Sequence, residues 1–423
     1  MKIMKFGGSS VADKNAIMKS VNIIQDAAEK ESVLVVVSAL KGVTDIIIDA
    51  ANVASNKDDN YKKILNDLKL RHLNVIDEIA GDIDLSGECI EFINSECEEL
   101  FSICDGIYAL GELSNKVLDR IMSFGELCSS KIFILAALRE GLNARRIDSR
   151  DYFVTDDQFG KANVDFNDTE KKLSKLKIEM GEVLVFPGFI ARSKSGFGTT
   201  LGRDGSDYTA AILGAALKSD VVELWTDVDG VLTANPLMVK DAESILEMTY
   251  EEAMELSHFG ARVIHPPTML PVTVNNIPLK VLNTFNPKFI GTVIKKEVKS
   301  STFLITGIST ISNVSFIRME GGGMVGEKGI AGRLFSALAK SGVNLIMISQ
   351  GSSEHSICFA VTSSHEDKAV NTINDEFARE IERSIVDKPS VEKNQCVLAV
   401  VGENMRRRPG IAGKLFTALG DAG

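Results

Sequence analysis

Residues Gly321–Gly342 recur 81 positions later as Gly402–Gly423, with 11 identities in 22 aligned positions. The shared core is Gly-Ile-Ala-Gly-Arg-Leu-Phe-Ser-Ala-Leu (329–338) against Gly-Ile-Ala-Gly-Lys-Leu-Phe-Thr-Ala-Leu (410–419). Each copy reads as an apolar strand, a glycine-rich turn and an amphipathic helix with Leu and Phe on one face. Such a unit cannot bury that face alone and must stack on a neighbour. In the first copy the pattern continues through strands expected at Val343–Ser349 and Ser356–Thr362. The second stops at Gly423, where the next strand is due, so the polypeptide is expected to continue.

The first 297 residues follow a different pattern. Short β-branched runs alternate with longer helical periods, which is how a mostly parallel sheet sandwiched by helices is written. Strands are expected at Met1–Phe6, Ser32–Ser38, Leu142–Ile147, Glu182–Phe186, Val221–Thr226 and Pro278–Leu282, the second of them apolar enough to be buried on both faces. Helices are expected at Lys14–Lys30, Lys41–Ala54, Ser114–Glu140, Asp207–Lys218, Tyr250–Leu256 and near Ala261, with a helical insertion over Asn60–Cys104 broken at Ser86. The expectation is an α/β domain over 1–297, then an α+β region over 298–423 with two repeat units, the second truncated.

Composition closes off several classes of function. A net charge of −11 disfavours a nucleic-acid binder, so an anionic ligand must find a local basic pocket. No run of about 18 uncharged apolar residues spans a bilayer, and the N-terminus enters a strand pattern with no signal-peptide core; a cytoplasmic protein with no membrane partner is expected. The six cysteines, Cys89, Cys97, Cys104, Cys128, Cys358 and Cys396, form no CxxC pair and no His/Cys ligand spacing, so no protein-bound metal is expected. Glu96–Glu99 read as a solvated face, and His258, His265 and His355 as structural, with His355 possible near an effector.

Three loops hold residue types suited to chemistry. Lys5-Phe6-Gly7-Gly8-Ser9-Ser10 follows the first strand and precedes a helix, so glycine backbone, helix N–H groups and the Lys5 charge could receive a phosphate; it could also be a plain turn. Thr199–Asp207 packs hydroxyls, Arg203 and a carboxylate before a helix, suiting a small anion, or else is a solvated turn with Asp207 as N-cap. Trp225-Thr226-Asp227-Val228-Asp229-Gly230 ends a strand where open α/β sheets bind ligands; its aspartates suit ribose hydroxyls or a hydrated metal, with a capped turn as the rival.

Together with Ser38-Ala39, Gly42-Val43-Thr44, Ser123-Phe124-Gly125-Glu126, Phe186-Pro187-Gly188-Phe189-Ile190 and Phe259-Gly260-Ala261-Arg262-Val263-Ile264-His265-Pro266, these loops in this order resemble the motif series of aspartate kinase, in the amino-acid kinase superfamily. The repeats are similar to the paired ACT (βαββαβ-type) regulatory domains of those enzymes. The resemblance implies an amino-acid-kinase-like fold. It also implies transfer of the ATP γ-phosphoryl group, with Mg2+, to the β-carboxylate of L-aspartate, the entry to lysine, threonine and methionine. Lys5, Gly7, Gly8 and Ser9 would hold the phosphoryl, and Asp207 would orient Lys5. Arg203 would pair with a substrate carboxylate and Glu126 with the α-ammonium, while Ser38, Thr44 and Ser206 add hydrogen bonds. Thr226, Asp227, Asp229, Arg262 and Val263 would lie on the nucleotide side.

The chain departs from the family pattern in having Arg262 for lysine, Asn235-Pro236-Leu237 for Asp-Pro-Arg and Leu232 for tyrosine, which bears on ATP affinity. By the same resemblance an end-product amino acid would bind the ACT region near Asn344 and Gln350. Ile346, standing where lysine-sensitive relatives tend to have aspartate, leans towards threonine. A homodimer or homotetramer through the ACT units is implied, and fusion to homoserine dehydrogenase occurs in some relatives. The rivals are a superfamily kinase acting on glutamate, acetylglutamate, carbamate or a nucleotide, and a catalytically dead amino-acid sensor.

Overall fold

The computed structural model describes residues 1–81, 86–179, 181–260, 264–298, 304–324, 326–351, 355–403, 405 and 408–423. The chain divides into two compact units, one formed by Met1–Gly307 with Val401–Gly423 and the other by Ile308–Val400.

The strands of the first unit run in chain order as β1 (Lys2–Phe6), β2 (Val33–Val37), β3 (Ala144–Arg146), β4 (Val154–Thr155), β5 (Val183–Pro187), β6 (Ile190–Ser193), β7 (Gly198–Thr200), β8 (Val221–Thr226), β9 (Glu247–Thr249), β10 (Leu279–Asn283) and β11 (Thr292–Lys295). Its helices are α1 (Lys14–Ala28), α2 (Val43–Ser55), α3 (Tyr61–Ala80), α4 (Gly87–Leu110), α5 (Asn115–Arg139), α6 (Ser149–Tyr152), α7 (Phe166–Leu173), α8 (Gly205–Leu217), α9 (Tyr250–His258) and α10 (Pro266–Val274). Eight strands form one sheet in the order β3-β5-β2-β1-β8-β10-β11-β9, and β4-β6-β7 form a small second sheet. From β3 to β10 the pairings are parallel. Every residue of β2 is buried, as its unbroken Val/Leu run requires between two helical layers.

Because β1 pairs with β2 on one side and β8 on the other, the strand order reverses at β1. The chain leaves β2 and β8 in opposite directions there and opens a crevice at the carboxyl ends. Lys5 lies near that end of β1, level with Val36 and Leu224.

Long helices form where expected. Ser114 caps α5 by accepting from the Val117 N–H, and Asp13 caps α1 by accepting from Ala16 at 2.9 Å. Among the described residues only α5 is long and apolar enough to cross a membrane, and 89% of its apolar window is buried inside the protein. The helix expected near Ala261 falls on a residue outside those described; α10 begins at Pro266, where proline's missing N–H costs nothing. The small sheet was not anticipated, because strands of two to four residues carry too little periodicity to read. Of the acidic stretch, Glu98 and Glu99 are exposed, but Glu96 is half-buried and burial raises its carboxyl.

In the second unit, β12 (Gly307–Glu320), α11 (Ile330–Lys340), β13 (Met347–Gln350), β14 (Ser356–Thr362), α12 (Glu366–Glu376), α13 (Ala378–Glu382) and β15 (Ser390–Val401) make a βαββαβ unit with strand order β13-β14-β12-β15. Leu334 and Leu338 of α11 meet Phe359 and Phe377 in its core. The strand expected from Val343 begins only at Met347; Gly342 takes φ 72° and the chain first turns under the sheet, burying Val343. The strand before the second repeat, β15, closes this sheet as its fourth member. The repeat's helix, α14 (Ile411–Ala422), has no buried residue and exposes Phe416 and Leu419.

Candidate active site

The crevice at the carboxyl ends of β1, β2 and β5 is a cleft of about 620 Å3. Eight of the residues singled out from sequence line it: Lys5, Gly8, Ser38, Thr44, Glu126, Arg203, Ser206 and Asp207. They come from segments up to 202 residues apart, Lys5 to Asp207, so their convergence is a product of strand order. The Lys5 ammonium and the Arg203 guanidinium face the same cavity.

Lys5 Nζ meets Asp207 Oδ1 at 2.6 Å, both side chains only slightly exposed. Burial pushes the Asp207 carboxyl up, and Lys5 opposes that shift. Asp207 is therefore the counter-ion that fixes the ammonium. It does not cap α8, since Asp204 occupies that position in the left-handed region at φ 52°. A non-glycine residue there is strained, and such strain gathers at binding sites.

Of the two glycines, Gly8 is small for a reason of space, whereas a Cβ on Gly7 would meet only ordinary contacts at 3.5 Å. Gly7 has φ −72° and donates its N–H to the Trp225 carbonyl at 3.0 Å. A Cβ on Gly8 would come within 3.3 Å of the Ala39 carbonyl oxygen. The turn leads into a short 3-10 segment, Gly8–Val11, and the first long helix starts only at Lys14. The expected abutment of this loop on an α-helix N-terminus is thus replaced by a single tight turn, with Ser9 in it half-buried.

Glu126 projects from α5, buried to 4% exposure. Its Oε2 has no hydrogen-bond partner among the described residues. Burial pushes its carboxyl up to about 8, only partly opposed by the Ala39 N–H and by Lys5. A buried carboxyl lacking a full set of donors and lining a cleft is a receptor for a cation. Arg203 is the complement, an exposed guanidinium whose paired carboxylate, Asp204, stands 3.8 Å away. Ser38 is held by main-chain bonds, its N–H to Phe6 and its carbonyl accepting from Ser129 Oγ at 2.7 Å. Thr44 lies in the first turn of α2 and Ser206 in the first turn of α8.

Two glycines fix these elements together. A Cβ on Gly188 would lie 2.6 Å from that of Ser206, and one on Gly125 would lie 2.7 Å from that of Ala39. The cleft also takes in Lys41, Asp45, Met122 and Gly160, which sequence reasoning passed over. Phe189, which also lines it, belongs to the Phe-Pro-Gly-Phe-Ile motif quoted above without a role; its φ of 67° carries the chain from β5 to β6.

The residues expected on the nucleotide side sit apart from the cleft lining. Thr226 ends β8 and Asp227 follows it, with Asp227 exposed and Thr226 Oγ1 donating to it at 3.2 Å. Asp229 accepts from Asn283 Nδ2 at 2.9 Å and Asn286 Nδ2 at 3.1 Å, which makes it a brace between two loops. The Trp225 carbonyl, which Gly7 and Ser10 both bond, ties this loop to the Lys5 turn. Arg262 and Val263 lie outside the described residues. Asn344 and Gln350 are exposed on the second unit. No group of three or more His, Cys, Asp or Glu residues that could hold a metal occurs among the described residues.

The sequence profile of the amino acid kinase family matches residues 1–283, and that of the ACT domain matches residues 317–377. The chain is 35% identical over 429 residues to the chloroplastic bifunctional aspartokinase/homoserine dehydrogenase 2 of Arabidopsis thaliana, covering 99% of the chain and 46% of the relative. It thus spans about half the length of the curated relatives it matches. Among solved structures, E. coli aspartokinase III in complex with aspartate and ADP (R-state) superposes with a TM-score of 0.84 at 26% identity, over 99% of this chain and 91% of that one. The same enzyme with lysine and aspartate (T-state) gives a TM-score of 0.78, again at 26% identity, over 99% and 91% of the two chains.

Proposed function

The chain belongs to the amino acid kinase family and carries an ACT domain behind the kinase fold, and from that premise we propose that it is a cytoplasmic aspartate kinase. It transfers the γ-phosphoryl group of ATP to the β-carboxylate of L-aspartate and is feedback-regulated through its ACT region. The observation that carries this reading is the cleft in which a Lys5–Asp207 pair shares one cavity with a buried, part-satisfied Glu126 and an exposed Arg203.

A carboxylate is already nucleophilic at neutral pH, so the protein need not supply a base. The barrier lies in bringing two anions together and stabilising charge on the group in flight. Arg203 forks onto a substrate carboxylate and Glu126 takes the α-ammonium, which orients the β-carboxylate towards Lys5. Ser38, Thr44 and Ser206 complete its hydrogen bonds. Lys5, pinned by Asp207, neutralises the phosphoryl oxygens, with the backbone of Gly7, Gly8 and Ser9 beside it. Thr226 and Asp227 serve the nucleotide, as do Arg262 and Val263. Mg2+ would enter with the nucleotide and supply positive charge against its phosphates, with the exposed Asp227 as the carboxylate available to hold it.

Hydroxylamine trapping of the acyl phosphate tests the assignment. ATP turnover with aspartate, and little with glutamate or acetylglutamate, is the expected result; no trapped product with any acceptor would favour an amino-acid sensor that retains the kinase fold. Lys5→Ala should abolish turnover and leave the protein folded. Threonine is proposed as the effector, acting near Asn344 and Gln350, and lysine inhibition at lower concentration would overturn that choice. Self-association into a dimer or tetramer through the ACT region accompanies it.

A further inference from the structure

The stretch that carries Arg203 is gripped by the start of α5. Asp119, 1% exposed, accepts from the Gly160 N–H at 3.0 Å on each oxygen, from the Thr200 N–H at 3.1 Å and from Thr200 Oγ1 at 2.7 Å. One turn earlier, Lys116 Nζ stands 3.1 Å from the centroid of the Phe197 ring and 5.7 Å from that of Phe159. Those two rings meet edge-on at 6.3 Å. One helix end therefore holds two segments, the loop at Phe159 and Gly160 and the β7 strand that leads through Thr200 into Arg203, which also meet each other through the Ala162 N–H and the Thr200 carbonyl at 3.0 Å.

Glu126 follows Asp119 by seven residues on the same helix. Seven residues are nearly two turns, so both project from one face, about 10 Å apart along the axis. The rigid helix thus sets where the Arg203 stretch lies relative to the Glu126 carboxyl.

We propose that Asp119 is a positioning residue that registers Arg203 against Glu126, and so fixes where the acceptor's α-carbon sits relative to Lys5, a reach that a β-carboxylate spans and a γ-carboxylate overshoots. The inference rests on the roles proposed above for those two residues. Asparagine in its place would turn an NH2 donor towards main-chain N–H donors in a dry site, which pushes the gripped segment away.

The test uses the full chain, acyl-phosphate trapping, and aspartate and glutamate as acceptors. Asp119→Asn should raise the aspartate KM about tenfold with the ATP KM within about twofold, since sub-ångström misplacement acts on the acceptor side alone. It should also lower the aspartate-to-glutamate ratio of kcat/KM by about fivefold or more, because discrimination of one methylene is modest and depends on fit. Thr200→Val keeps the main-chain donor and should shift both quantities in the same direction by smaller factors, at near wild-type Tm; it decides the matter if Asp119→Asn does not fold. Both variants at wild-type aspartate KM and ratio would overturn the proposal. So would aspartate and ATP KM values rising together in step with a lost Tm, the mark of a merely structural role. A wild-type chain that traps no acyl phosphate overturns the functional reading instead, and the positioning role falls with it.

Discussion

Glu126 carries a carboxyl that burial has pushed up to about 8, so near neutral pH the free protein holds it mostly protonated. An ammonium needs the ionised form. Aspartate kcat/KM should therefore rise by nearly tenfold per pH unit between about pH 6 and pH 8 and then level; pH profiles of the wild type and Glu126→Gln check this, the variant being weaker and losing the slope. Stability runs the other way. With a folded pKa above its ordinary 4.5, the group loses its proton first in the unfolded chain as pH rises, so its contribution is lost between about 4.5 and 8. Glu126→Gln should thus melt higher than wild type at pH 8 and no higher at pH 4, a difference that calorimetry would register. The glutamate's place in the cleft was legible from the Ser-Phe-Gly-Glu motif, but its unpaired oxygen was not, because burial is a property of the packed helix.

Elements in this protein approach one another through glycines and buried polar groups that no periodicity reveals. Gly188→Ala would put a methyl 2.8 Å from the Ser206 Cα, which is backbone and cannot swing aside. The first turn of α8 must move, so a loss of about 1–3 kcal/mol of stability and a kcat loss of tenfold or more from displaced Asp207 are expected, with Gly106→Ala in an open stretch of α4 as the control that keeps kcat and gains roughly 0.5–1 kcal/mol. His72 on α3, which sequence reasoning overlooked, packs edge-on against Phe124 of α5 and keeps its Nδ1 2.8 Å from the Leu68 carbonyl. Burial lowers its pKa to about 4. As pH falls from about 6.5 towards 4 the unfolded chain takes the proton first, so this group's contribution to stability is lost across that window, by up to roughly 3 kcal/mol. Because Glu126 gains stability over the same range, the check is the wild-type-minus-His72→Phe difference in urea melts, which should be smaller at pH 5 than at pH 7.

At the level of the molecule, an effector bound to the ACT region can act on the cleft only as far as it binds one of two states better, and the coupling is reciprocal. Threonine should weaken aspartate binding, and aspartate should weaken threonine binding by the same factor, in paired calorimetric titrations. Replacing Ile346 with aspartate should shift preference towards lysine, which inhibition curves for the two amino acids would test. The element types, the buried β2 run, the repeat and the motif series could all be read from sequence, since each follows from local periodicity or from residue types that turns, caps and phosphate contacts demand. Tertiary structure alone decided that Lys5 meets Asp207 across 202 residues, that Asp119 accepts from Gly160 and Thr200, that β15 completes the sheet begun by β12, and that Asp229 is a brace. Parallel pairing and side-chain burial depend on which distant segments come to lie side by side, and no window of sequence contains that information.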